Sequence, residues 1–100
     1  MNLNLSKKLR TGLTPQEKID CYEEAIDKIK YQDLTGICSA LSRCFLDRHR
    51  YGGYSQIHTL FPELIKHKPI KKEETDYWFN STEERIQVLN KLIEEQKKLL

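Results

Sequence analysis

Ile19, Tyr22, Ala25, Ile26 and Ile29 recur at spacings of three and four, the period of an α-helix with one apolar side. Glu17, Asp20, Glu24 and Asp27 line a separate arc of the same helix at spacings of three, four and three. Thr14-Pro15-Gln16-Glu17 stands at its start. Thr14 suits the N-cap, Pro15 the first helical position and Glu17 the reciprocal contact of a capping box. The pattern predicts a helix over 15–31.

A second apolar side is formed by Leu34, Ile37, Cys38, Leu41, Cys44 and Phe45, predicting a helix over about 34–47 that ends before Tyr51-Gly52-Gly53-Tyr54. Ser55 suits the cap of a short helix through Gln56–Phe61, and Pro62 either kinks it or starts a new turn in Glu63–His67. A second capping box, Ser81 with Glu84, precedes a closing helix over about 82–98. Its apolar residues, Ile86, Val88, Leu89, Leu92, Ile93, Leu99 and Leu100, spread over roughly 160°, wide enough to cover the core and a second subunit together. Residues 1–13 have no clear period beyond Leu3, Leu5 and Leu9 and read as an N-terminal docking arm or a short strand. No alternating strand pattern and no internal repeat emerge. The expected architecture is all-α: an arm over 1–13, then one helical domain over 14–100 with three main helices and one or two short ones over about 55–67.

At 100 residues, 38% of them hydrophobic, the chain is long enough for one core without metal or disulfide staples. No apolar run approaches the roughly 20 residues of a membrane span, and the basic start at Lys7, Lys8 and Arg10 is not followed by a signal-peptide apolar region. A soluble cytoplasmic protein is expected. Cys21, Cys38 and Cys44 are odd in number and form no CxxC pair, so they read as packed free thiols and not as a zinc site.

The net charge of +2 conceals an uneven distribution. Residues 14–35 carry six acids and three bases, and residues 73–100 seven acids and four bases. Residues 36–72 carry seven bases, two acids and all three histidines. One cationic segment therefore lies between acidic neighbours, which points to a local anionic partner.

Signatures of phosphate-binding glycine loops, GxSxG nucleophiles and HExxH metal sites are missing. Glu63 and His67, four apart, fit a surface ion pair better than a general-base dyad, and Cys44 near His49 falls on an apolar arc. No catalytic residue, metal or cofactor is assigned. A binding role finds more support. Within twelve residues lie Arg43, Arg48, His49, Arg50, Tyr51, Gly52, Gly53 and Tyr54. Guanidinium forks match phosphate oxygens, aromatic rings stack on bases, and small residues let backbone N–H groups approach a phosphate. Trp78 is a further candidate for stacking. Two readings stay open: this cluster is a ligand site, or Arg43 and Asp47 form a helix pair while the tyrosines pack on the core. The acidic flanks argue against long nucleic acid as the partner. The acidic row on the first long helix is either a hydrated face or a dock for a basic protein surface.

Four segments together, Gly36-Ile37-Cys38-Ser39-Ala40-Leu41, Leu60-Phe61-Pro62-Glu63-Leu64, Tyr77-Trp78 and Arg85-Ile86-xx-Leu89-xx-Leu92-Ile93, resemble a group of small uncharacterised proteins from tailed phages of gut bacteria. The resemblance covers about residues 34–95. Ile37 stands where leucine is usual, and Phe79 where a second tryptophan often sits. It implies a phage origin. By analogy with other small phage proteins, it implies an antagonist of bacterial immunity, acting as a sponge for a cyclic nucleotide signal or as an inhibitor of a host defence nuclease or effector. The combined expectation is a homo-oligomeric, non-enzymatic binder of a small phosphorylated nucleotide in the host cytoplasm. The alternative is a protein–protein inhibitor.

Overall fold

The computed structural model describes residues 5–31, 37–42, 54–67 and 82–100. Among these residues, five α-helices and one 3-10 helix follow in chain order: α1 (Leu5–Thr11), α2 (Pro15–Tyr31), α3 (Ile37–Ser42), α4 (Tyr54–Leu60), the 3-10 helix Pro62–His67, and α5 (Thr82–Lys97). Two helices are long, α2 with 17 residues and α5 with 16. Among the described residues there is no strand.

The helix expected over 15–31 begins and ends where the sequence places it. Its start is the capping box read from Thr14 and Glu17. The Glu17 N–H donates to Thr14 Oγ1 at 3.2 Å, and the Thr14 N–H donates back to Glu17 Oε1 at 2.9 Å. Two N–H groups that the first turn would leave unpaired are thereby satisfied. The inward side of α2 buries Ile19, Cys21, Tyr22, Ala25 and Ile29, and α2 packs chiefly on α5 and then on α3.

α5 buries Val88, Leu89, Leu92, Ile93 and Gln96, with Ile86 half-buried beside them. The expected apolar sweep keeps its width, since Val88 and Ile86 bound it and both pack on the core, but it loses its last two members. The chain turns after Lys97, where the Leu99 N–H donates to Gln96 O at 2.9 Å, and Leu99 and Leu100 are 67% and 69% exposed. A residue past the last helical turn no longer follows the helical period, so these two leucines leave the buried side.

Only Ile37–Ser42 of the helix expected over 34–47 is described; it buries Ile37, Ala40 and Leu41. The short helix begins at Tyr54, so Ser55 lies inside it and is not its cap. It stops at Leu60 because Pro62 has no N–H to continue the ladder. The Phe61 N–H still donates to Ile57 O at 2.8 Å, and the Leu64 N–H to Phe61 O at 3.1 Å, which tightens the chain into the 3-10 turn. Ile57, Leu60, Phe61 and Leu64 all enter the core.

Residues 5–11 are helical, where the sequence shows only a weak leucine pattern and an arm or strand is expected. The reason is tertiary. A seven-residue helix is marginal alone in water, but Leu9 and Leu13 pack against the core and Lys8 pairs with Glu17 at 2.7 Å. Gly12 ends α1 with φ +79°, and its N–H donates to Lys8 O at 2.7 Å. Glycine reaches this left-handed conformation without the Cβ clash other residues meet.

Candidate functional site

Arg43, Arg48, His49, Arg50, Tyr51, Gly52, Gly53 and Trp78 lie outside the described residues, as does Ser81 of the second expected capping box. Tyr54 is the first residue of α4, and its side chain is also outside the described set. What is described is the frame on either side of the basic stretch. On one side α3 ends at Ser42, directly after the buried Ala40 and Leu41. On the other, α4 opens at Tyr54, three residues before the buried Ile57. α3 and α4 touch each other. The two helices that bound the arginine stretch in sequence are therefore both anchored in one core.

Downstream of that stretch the structure builds a polar cluster into the edge of the core. Lys18 Nζ on α2 donates to Glu63 Oε2 on the 3-10 helix at 2.6 Å. The Tyr22 hydroxyl, one turn further along α2, donates to Glu63 Oε1 at 3.1 Å. Lys18 and Glu63 keep 14% and 15% of their side-chain exposure, and Tyr22 keeps none. The Tyr22 ring packs on Phe61 with centroids 5.3 Å apart. Burial, reinforced by the negative charge of Glu63, pushes the Tyr22 hydroxyl far above the ordinary tyrosine range, so it remains a neutral donor. One carboxylate thus uses both oxygens to tie α2 to the segment carrying Pro62–His67.

Both oxygens of Glu63 are thus engaged by α2, while the side chain of His67, its candidate partner from the sequence, lies outside the described residues. The partners of Glu63 lie 45 and 41 residues away in sequence. One signal for this was available. Lys18 follows Pro15 and Thr14 and has Tyr22 four residues on, so no acid sits within helical reach on either side.

The acidic row on α2 is partly neutralised. Glu17 is held by Lys8 and Thr14, and these hydrogen bonds, with the Lys8 one foremost, keep its carboxyl below the ordinary glutamate range. Glu24 approaches Lys28 at 3.9 Å, and Asp20 accepts from Gln16 Nε2 at 3.0 Å. Asp20, Glu23 and Asp27 remain exposed. Among the described residues, no group of three or more His, Cys, Asp or Glu is placed to hold a metal ion, and no helix is long and apolar enough to cross a membrane. Comparisons of the chain with protein-family models, with curated proteins and with solved structures return no match.

Proposed function

We propose that this protein is a non-enzymatic binder of a small phosphorylated nucleotide, of the phage kind that quenches a cyclic nucleotide signal of bacterial immunity in the host cytoplasm. The second of its three main helices runs over about 34–47 and delivers Arg43 to the site. Arg43, Arg48 and Arg50 hold phosphate oxygens, Tyr51, Tyr54 and Trp78 stack on bases, and His49 donates a hydrogen bond. Gly52 and Gly53 let the backbone come close to a phosphate. A homo-oligomer surrounds a symmetric ligand with two copies of the cluster.

The observation that carries this reading is the concentration of bases between acidic neighbours, seven bases against two acids over 36–72. The frame supports it: the arginine stretch is bounded by α3 and α4, both anchored in the core. Calorimetry against a panel of cyclic di- and trinucleotides tests it. Binding at about micromolar Kd, near −8 kcal/mol, is expected for at least one member, with Arg50→Ala weakening it tenfold or more. Silence across the panel, with protein at about 50 times that Kd, removes the proposal.

The second reading, an inhibitor of a host defence nuclease or effector, draws on the exposed carboxylates Asp20, Glu23 and Asp27 of α2. Reversing these three charges abolishes its effect and leaves Arg50→Ala active, the opposite of the outcome for nucleotide capture.

A further inference from the structure

We infer that α1 belongs to the anion-binding surface, with Arg10 and Lys7 adding to the cations of the arginine stretch, and that the ligand carries at least two phosphate groups. The inference deepens the nucleotide reading and rests on it for the role of the arginine stretch.

The fold collects charge that the sequence keeps apart. Two segments carry more bases than acids: residues 1–13, with Lys7, Lys8 and Arg10 and no acid, and residues 36–72, with seven bases and two acids. All of α2 lies between them in the chain, yet α1 packs on α4, which belongs to the second segment. The two acid-rich helices, α2 and α5, pack chiefly on each other. A gathering of one sign raises the local potential and draws anions to it. α4 spans seven residues, about 10 Å, so any part of it that α1 touches lies within about 10 Å of Tyr54 along the helix. Gly53, the residue before Tyr54, belongs to the arginine stretch.

Acids at this junction are compensated. Glu17, which adjoins α1, is paired with Lys8 at 2.7 Å. Glu63, which follows α4, has Lys18 on one oxygen and the Tyr22 hydroxyl on the other. Arg10 differs from those lysines: it is exposed, and among the described residues no carboxylate pairs with it. Lys7, also exposed, lies three residues before it and so on the same face of α1. Leu9 packs against the core and Lys8 is held by Glu17, which fixes the helix with that face outward. The Arg10 guanidinium matches phosphate oxygens as those of the stretch do. Lys7, Arg10, Arg43, Arg48 and Arg50 together bring five positive charges. One phosphate monoester supplies no more than about two negative ones, so a second phosphate is needed to offset the repulsion among them.

Calorimetry on the full chain, with inorganic tripolyphosphate and orthophosphate as probes, tests this. Tripolyphosphate is expected to bind at least tenfold more tightly than orthophosphate. Arg10→Gln is expected to weaken it about threefold, the share of an exposed ion pair, and Arg50→Ala to weaken it as well. Lys30→Gln makes the same charge change at an exposed position about 20 Å along α2 from Glu17, and is expected to leave binding unchanged. If Arg10→Gln binds like the parent while Arg50→Ala is weakened, α1 has no part in the site and the nucleotide reading stands without it. A loss in Arg10→Gln but not in Arg50→Ala separates α1 from the arginine stretch and overturns the shared surface. Equal losses in Arg10→Gln and Lys30→Gln overturn it too, since net charge alone then explains them. A parent that binds neither probe, or both equally, also removes the inference, while the cyclic nucleotide panel still decides the nucleotide reading.

Discussion

The Tyr22 hydroxyl donates to Glu63 Oε1 at 3.1 Å while Lys18 occupies the other oxygen of the same carboxylate. The three groups satisfy one another at the edge of an apolar core, so removing one strands the others. Glu63→Ala leaves a mostly buried ammonium and a buried hydroxyl without their acceptor. Breaking a fully buried pair this way costs about 3–5 kcal/mol, and the residual exposure of Lys18 and Glu63 lowers the expected loss here to about 2–3 kcal/mol. Glu63→Gln should lose less, since its amide oxygen still accepts one of the two bonds. Urea denaturation measures both. A loss below about 0.5 kcal/mol for the alanine variant would show that the bridge does not hold the 3-10 segment to α2.

The same bond makes stability fall at high pH. The folded state raises the pKa of Tyr22, first by burial and then through the Glu63 charge. The unfolded chain releases this proton near pH 10 and the folded chain does not. The contribution is therefore complete below about pH 10 and is lost as pH rises above it. Absorbance at 295 nm during alkaline titration should show one tyrosine ionising only together with unfolding. That late fraction should be missing in Tyr22→Phe.

At the other end of the pH scale, Glu17 runs the opposite way. Its folded pKa is lowered, mainly by the Lys8 hydrogen bond and then by the Thr14 N–H. Its contribution is present above the ordinary glutamate value of about 4.3 and is lost as pH falls through the lowered folded value. Glu17→Gln should flatten the acid limb of a stability–pH curve without changing the alkaline limb. Thr14→Ala should cost about 1 kcal/mol at neutral pH, and Thr14→Ser much less, because the serine hydroxyl accepts the same Glu17 N–H. Thermal melts of the three variants across pH 3–8 check both statements.

Gly12 isolates a purely conformational cost. With nothing near the position of an added Cβ, Gly12→Ala introduces no clash with a neighbour. Its penalty is the left-handed backbone alone, about 1–2 kcal/mol. Gly12→Asn should recover part of it, since asparagine tolerates this region better. Equal melting temperatures for the alanine variant and the parent would mean that φ at residue 12 departs from +79°.

α2 and α5 were legible because everything that defines them lies within a few residues: the 3.6-residue apolar period, the Thr14–Glu17 box and the proline at the first helical position. The frame around the basic stretch was less so. Pro62 announced an interruption, but a local pattern does not distinguish a kink from a 3-10 turn, and nothing near Glu63 in sequence points to its partners Lys18 and Tyr22.

From its residues alone the chain dictated helices, one core and an uneven spread of charge, since periodicity, end caps and composition act over one or two turns. Tertiary packing decided that residues 5–11 are helical, that Glu63 reaches back to Lys18 and Tyr22, and that Leu99 and Leu100 stay in water. Those outcomes depend on surfaces from distant parts of the chain meeting, and burial and partner choice across more than forty residues leave no mark in local spacing.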